Sequence, residues 1–579
     1  MRLALADTRS HAARLRRWAS ASPLVLLAAC GGGSDGGSSE AAQPPQLSAA
    51  VGASLQSCTE LAAKFNFART TVTAAELVAA GTLKVAGNDV GEHCRITGRM
   101  NDRTSPVDGR SYAIGFEMRL PRAWNGRFFY QANGGLDGAV GTATGGIGGG
   151  GPLNNALNQG FAVLSADAGH AGSLGPFFGL DPQARLDYGY QAVGTLTPMA
   201  KSAIQAAYGK GPDRSYIGGC SNGGRHAMVA ASRYADQYDG VLAGNPGTRL
   251  PLAAVANIAG AQAYNALATT PGDPGTGFTQ AERMLVSQAV LAKCDALDGA
   301  TDGLVQDTAA CQAAFDLSRD VPTCSGARDG SCLSAAQKTS IAGLFSGATT
   351  GSGKKIYASF PYDAGLATNG WASWKFANSL NLDSGSVGFV FQVPPADPAG
   401  FNGPTFSLTS NLDSLLTKIQ ATDTLYTENA LSFMAPPNYG KLPKLKERGG
   451  KIMVYHGTSD PIFASDDSVD WYQKLRADNA GDAANFARLY LVPGMNHCSG
   501  GPATEQFDML SALVNWVERG QAPDRVVATA RGTGNAGGAN ADVPANWAAN
   551  RSRPLCPYPQ VARYNGTGNL EDAASFSCR

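Results

Sequence analysis

Neither sign of charge predominates in this chain. Its 46 lysines and arginines are matched by 46 aspartates and glutamates, so no global field draws it to nucleic acid or an anionic surface, and no nucleic-acid partner is expected. No CxxC pair and no Cys/His cluster has zinc spacing, which argues against a metal–thiolate centre. No fixed-period repeat is present, so a solenoid or propeller is not expected. The apolar run at residues 22–29 is too short to span a bilayer as a mature helix. Glycine, by contrast, is abundant, at 72 of 579 residues. With ordinary apolar content this fits a loop-rich globular enzyme better than disorder. The length allows one large domain carrying a substantial insertion, or two domains.

Residues 1–30 read as a targeting segment. Arg9, Arg14, Arg16 and Arg17 precede the short apolar run, and Leu27-Ala28-Ala29-Cys30 has the form of a lipobox. Cys30 would then carry the lipid and become the mature N-terminus; the alternative is an ordinary signal peptide with a chance cysteine. Residues 31–50, rich in Gly, Ser and Pro, read as a flexible tether. Ten of the eleven cysteines remain once Cys30 is set aside, an even number that suits an oxidising compartment. The expected location is the outer membrane or cell surface through a lipid anchor, otherwise the periplasm or medium.

From there on, short apolar runs alternate with helix-like stretches. Residues 127–131, 161–166, 215–218, 241–243, 451–455 and 489–492 read as buried strands, and 190–208 and 224–238 as helices between them. Such alternation predicts an α/β fold with a mainly parallel sheet covered on both faces. The rhythm breaks between residues 250 and 449, a stretch with four cysteines, two tryptophans and few strong β runs. It is expected to be an inserted lid between two parts of the core, residues 51–249 and 450–579.

Gly219-Cys220-Ser221-Asn222-Gly223 matches G-x-S-x-G, but so does residues 32–36 in the tether. Context separates them: only the first follows a strand-like run and opens a helix-like one, the strand–turn–helix of a nucleophile elbow. Small flanking residues are required where the serine sits in a tight, strained turn, and the helix N-terminus favours developing negative charge.

An elbow serine is followed in the chain by an acid and then a histidine, each just after a core strand. Of six histidines, His11 lies in the targeting segment, and His93, His170 and His226 cannot satisfy the order. His456 and His497 remain. His497 follows a strand near the C-terminal end; His456 is four residues before Asp460. Asp460 as acid and His497 as base satisfy the order, leaving His456 to brace the acid loop. Asp466 and Asp467 are rival acids, set further into the next helix. An oxyanion needs two backbone N–H donors: Asn222, after the nucleophile, and one from Asn133-Gly134-Gly135, after the strand at 127–131.

These residues, with WNGRFF (124–129), GLDPQARLDYGY (179–190), GCSNGGR (219–225), CDALDGATDGLV (294–305), YHGTSD (455–460), LVPGMNHCSGGP (491–502) and RPLCPYPQVARY (553–564), resemble the tannase and feruloyl esterase family from about Cys58 to Cys578. The resemblance implies an α/β-hydrolase core with a large inserted lid and a serine esterase acting on small aromatic ester substrates. It gives the same triad and assigns the oxyanion donors to Gly135 and Asn222. It implies the disulfides Cys58–Cys94, Cys220–Cys498, Cys294–Cys311, Cys324–Cys332 and Cys556–Cys578. It also implies a structural calcium site made by the side chains of Asp295, Asp298 and Asp302 and the carbonyls of Ala300 and Leu304. The spaced carboxylates suit a hard cation, though the loop is shorter than an EF-hand and lacks its late glutamate. No organic cofactor is implied.

Trp374 and Phe463 match aromatic substrate contacts of the family, and Leu250 belongs to the pocket-forming stretch beside Arg249. Family members that take a terephthalate monoester hold its free carboxylate with a lid arginine. This chain has no arginine between Arg328 and Arg448. Lys375 and Arg249 are the cations left for that task, although lysine lacks the bidentate fork. Terephthalate monoesters therefore compete with hydroxycinnamate and gallate esters as substrates. A reading of another class, a non-catalytic surface lipoprotein that binds through the same fold, is opposed by three triad residues kept in order through the chain.

Overall fold

The computed structural model describes residues 43–579. The targeting segment, the lipobox at Cys30 and residues 31–42 of the expected tether lie outside the described residues. The end of that tether is a correction: it is not free. The Gln46 side chain donates to the Val517 carbonyl at 2.8 Å, and the Ala50 N–H to Glu518 at 2.9 Å. Leu47 packs against the core as well. A Ser/Gly-rich composition did not reveal these contacts because they are made mostly by backbone and one amide.

A nine-stranded mixed sheet forms the core. Its strands are β1 (Thr70–Val78), β2 (His93–Thr104), β3 (Ser111–Pro121), β4 (Arg127–Gln131), β5 (Ala162–Ala166), β6 (Arg214–Cys220), β7 (Gly240–Gly244), β8 (Lys451–Gly457) and β9 (Ala487–Val492). They lie in the order β9-β8-β7-β6-β4-β5-β3-β2-β1. The six from β9 to β5 are mutually parallel, and β3, β2 and β1 continue the sheet antiparallel. Composition follows this division. The parallel strands β7 and β8 are buried at every residue, as strands covered on both faces must be. The antiparallel strand β2 carries exposed charged and polar residues between buried ones, and the edge strand β1 alternates exposed with half-buried residues.

Helix α1 (Ala192–Tyr208), preceded by a π-helical turn at Asp187–Gln191, and α2 (Asn222–Arg233) cover one face. The C-terminal helix α5 (Met509–Arg519) covers the other. Between β7 and β8, the described chain holds helices, turns and isolated bridges but no strand of the sheet. This inserted lid begins with α3 (Leu250–Ala266) and has its own aromatic core around Tyr264, Phe278 and Trp371. A second cluster, including Leu250, Phe433 and Phe463, joins lid to hydrolase core. Helix α4 (Ser465–Asp478) follows β8.

Register brings the site together. Cys220 pairs with Gly244, Gly244 with Tyr455, and Tyr455 with Tyr490; Gly218 pairs with Gln131. The loops after β4, β6, β7, β8 and β9 therefore all leave one edge, where ligands of open α/β sheets bind.

Candidate active site

Ser221 stands between β6 and α2 with φ 65° and ψ −127°, a backbone state that costs on the order of 1–3 kcal/mol and persists only when its surroundings impose it. Several contacts impose it. The Ser221 N–H donates to the Gly244 carbonyl at 3.0 Å. Gly219 and Gly223 allow the turn to press against β4: a Cβ on either would sit 2.3 Å from the Ala132 carbonyl oxygen. The Cys220–Cys498 disulfide then ties the elbow to the loop after β9, closing 278 residues. By the chain-entropy argument a loop that long contributes roughly 5 kcal/mol. The other four disulfides join Cys58–Cys94, Cys294–Cys311, Cys324–Cys332 and Cys556–Cys578.

That loop brings His497 to Ser221, with Nε2 2.8 Å from Oγ. On its other side Nδ1 is 2.8 Å from Asp460 Oδ2. A carboxylate only accepts, so Nδ1 carries the proton and Nε2 is free to accept the one on Ser221. Asp460 is wholly buried, which pushes its carboxyl up. The facing His497 and its hydrogen bonds outweigh this and hold it far below the usual carboxylate range. The Asn245 side chain donates to Oδ2 at 2.7 Å, and the Ile462 and Phe463 N–H groups donate to Oδ1 at 2.9 and 3.1 Å.

His456 is 3.4 Å from Asp460 Oδ2 but closer, at 2.9 Å, to the Phe463 carbonyl, which takes its Nε2 proton. Ser468 hydrogen-bonds its Nδ1 at 2.8 Å. It thus braces the acid loop. The rival acids are engaged elsewhere: Asp467 with Arg249 and the Tyr357 hydroxyl, Asp466 with Ser359. Asn245 was missed from sequence, yet it follows β7 at the register of Ser221, the same placement that singled out the other site residues.

Asn222 opens α2, where a first-turn N–H has no intrahelical acceptor. The Gly134 carbonyl accepts from the Asp137 N–H at 3.1 Å, which turns the N–H of the same peptide, that of Gly135, the opposite way. Among the described residues neither the Gly135 nor the Asn222 N–H has an acceptor. Both are free donors, one on the residue after Ser221 and one on the loop whose Gly134 abuts the elbow, and a pair of this kind is what a tetrahedral oxyanion requires.

Two rings wall the imidazole. Trp374, in a π-helical turn at Ser373–Asn378 of the lid, meets His497 edge-on with centroids 4.7 Å apart; Phe463 does so at 5.4 Å. Leu250 is buried in the cluster that contains Phe463. The two candidate carboxylate partners each have other neighbours in the structure. Arg249 is ion-paired with Asp467 through Nε and Nη2. Lys375 is buried with its ammonium 4.1 Å from the centre of the Phe360 ring, and burial lowers its pKa to about 8 despite Asp460 and Asp383. It lines a cavity of about 30 Å³ with Asp363, Ser459 and Asp460, but neither Ser221 nor His497 lines that cavity. The space suits one or two waters and not an aryl ester.

In the loop 295–304, Asp295 accepts from the Asp302 and Gly303 N–H groups, and Asp298 Oδ1 from the Ala300 N–H. Asp302 is ion-paired with Arg553. Among the described residues the carboxylates do not converge into a ready-made cage. Asp298 Oδ2, however, is buried without a hydrogen-bond partner. An orphaned carboxylate oxygen beside two further carboxylates and turning carbonyls is the donor chemistry of a hard cation, so the loop fits calcium.

The family model described as "Tannase and feruloyl esterase" matches residues 94–579. The chain is 39% identical to mono(2-hydroxyethyl) terephthalate hydrolase of Piscinibacter sakaiensis, over 84% of this chain and 85% of that one. It is 28% identical to feruloyl esterase B of Aspergillus niger, over 92% and 98%. The structure of feruloyl esterase B from Aspergillus oryzae superposes with a TM-score of 0.71 at 24% identity, covering 90% of this chain and 99% of that one. That likeness speaks to the fold alone.

Proposed function

Because the chain belongs to the tannase and feruloyl esterase family, whose members are carboxylic ester hydrolases, we propose that it cleaves esters of small aromatic carboxylic acids through an acyl-enzyme on Ser221. The observation that carries this reading is the unbroken chain from Ser221 Oγ through His497 to Asp460, with 2.8 Å at each link. Ser221 Oγ attacks the ester carbonyl while His497 Nε2 takes its proton. The oxyanion faces the Gly135 and Asn222 N–H groups. As the intermediate collapses, His497 returns the proton to the departing alcohol. Water, activated by the same nitrogen, then releases the acid. Asp460 keeps the imidazole in the tautomer this needs and stabilises the imidazolium.

Aromatic walls at Trp374 and Phe463 suit a flat aryl acid. With Arg249 ion-paired to Asp467 and the Lys375 ammonium set against the Phe360 ring, the acid it suits is uncharged away from the ester, as in hydroxycinnamates and gallates. A terephthalate monoester is the second reading, favoured by the 39% identity to the terephthalate monoester hydrolase. The test is kcat/KM on methyl ferulate, methyl gallate and mono(2-hydroxyethyl) terephthalate. The neutral esters are expected to be at least ~10-fold better, equivalent to about 1.4 kcal/mol. A preference of that size for the monoester would overturn the neutral-pocket reading and require a cation in the cleft.

In the same proposal Asp295, Asp298 and Asp302, with the Ala300 and Leu304 carbonyls, hold a structural calcium. The ion would supply the positive charge that Asp298 lacks. The C-terminal segment docks on this loop through Arg553 on Asp302, Arg551 on the Asp302 carbonyl and Arg563 on the Leu297 carbonyl. Removing calcium is therefore expected to lower Tm by about 2–5 °C while leaving kcat of the folded enzyme within about twofold. Thermal unfolding with chelator, then with calcium restored, checks this; an unchanged Tm contradicts it. Five disulfides support export to an oxidising compartment, and Cys30, outside these bridges, is the residue a lipid anchor would use.

A further inference from the structure

The loop that carries the Gly135 donor is tied down at each successive carbonyl. Gly134 accepts from the Asp137 N–H at 3.1 Å, Gly135 from the Tyr188 hydroxyl at 3.1 Å, and Leu136 from His170 Nε2 at 2.8 Å. Those contacts hold the loop to itself and to the segment before α1. None of them reaches α2, which carries the second donor and meets only the start of the loop by backbone contact, Gly223 against the Ala132 and Asn133 carbonyls.

Beyond that contact, one side chain links the far part of the loop to α2. Asp137, with its side chain only 3% exposed, accepts from the Asn222 side-chain amide at 2.7 Å through Oδ1. Through Oδ2 it meets His226 Nε2, one turn further along α2, at 3.1 Å. Arg225 packs against both partners: it donates to Asn222 Oδ1 at 2.6 Å, and its Nη2 lies 3.2 and 3.3 Å from the Nδ1 and Nε2 of His226. The Arg225 bond fixes the Asn222 amide with its nitrogen toward Asp137, and the Asp137 carboxylate, which can only accept, takes the His226 Nε2 proton. A buried carboxylate is thus satisfied by two donors on α2, and a buried guanidinium lies behind both.

We infer that Asp137 is a positioning residue that sets the spacing of the two oxyanion donors, Gly135 and Asn222, by clamping their loop to α2. The inference rests on the acyl-enzyme reading above. Ground-state binding of the aryl group does not use this clamp; the tetrahedral oxyanion does. An Asn side chain at 137 keeps the shape but sets an NH2 group against the Asn222 amide or the His226 N–H.

Wild type is measured first: if it neither turns over methyl ferulate nor reacts with an organophosphonate, the acyl-enzyme reading itself has failed. With an active wild type, Asp137→Asn is expected to lower kcat by ~10–100-fold, the scale of a misplaced or missing donor, with KM within about threefold. Affinity for an aryl trifluoromethyl ketone, which adds to serine and forms an oxyanion, should fall by a similar factor. Affinity for the planar product acid should not change. Asn222→Ala, which keeps the backbone N–H and removes the link, gives a second route should Asp137→Asn not fold. Its loss is expected to be of similar selectivity, and the double variant is expected to be far less than additive. Either a kcat within twofold of wild type in both variants, or an equal loss of ketone and product affinity, would overturn the positioning role.

Discussion

Ser221→Ala lowers kcat on a methyl aryl ester by about 10⁵–10⁶-fold, the range lost when a triad nucleophile is removed, and leaves folding intact. The size follows from the site. No other hydroxyl stands 2.8 Å from His497 Nε2 among the described residues, so no substitute nucleophile is in place. What survives is binding against Trp374 and Phe463 and two N–H donors, which still favour attack by water. His497→Ala is expected to lose about as much, and the double variant little more, because the two residues act as a unit. The measurement is turnover of methyl ferulate by purified variants with matched Tm. A loss smaller than tenfold at Ser221 would place the chemistry elsewhere.

The second large effect is expected at Asp460. Asp460→Asn lowers kcat by about 10⁴-fold with little change in KM. The carboxylate accepts four hydrogen bonds: from Asn245 and His497 on one oxygen, and from the Ile462 and Phe463 N–H groups on the other. An amide has one oxygen. If it serves the two loop N–H groups, its NH2 faces His497 Nδ1, and the imidazole takes the other tautomer. Nε2 then carries a proton and cannot accept the one from Ser221. The variant should still bind product acid and still melt near the wild-type temperature. A kcat within tenfold of wild type would mean that another group, His456 or Asn245, can orient the imidazole.

The triad was legible because each member follows a strong apolar strand and the chain order admits few assignments. The strand read at 127–131 coincides with β4, and those at 451–455 and 489–492 fall within β8 and β9. The antiparallel half of the sheet was not legible. The sequence of β2, His93–Thr104, interleaves Arg95, Arg99, Asp102 and Arg103 with buried Ile96 and Met100. A strand with one wet face presents little continuous apolar signal. Asp137 and His226 escaped for a different reason: neither follows a core strand in triad order, and their meeting depends on how the loop after β4 packs on α2. Lys375 and Arg249 show the limit of charge counting. Both cations are present in the chain, but Asp467 neutralises one, and the other lines a small cavity whose lining excludes Ser221 and His497.

The central claim is that Ser221 forms a covalent intermediate in an assembled site, and labelling with an aryl organophosphonate tests it most directly. The account predicts one equivalent of adduct per chain by intact mass, mapped by peptide sequencing to Ser221, with activity lost in proportion and no adduct on Ser221→Ala. Full activity with Ser221 unlabelled, or labelling of another residue with the same loss, would contradict it.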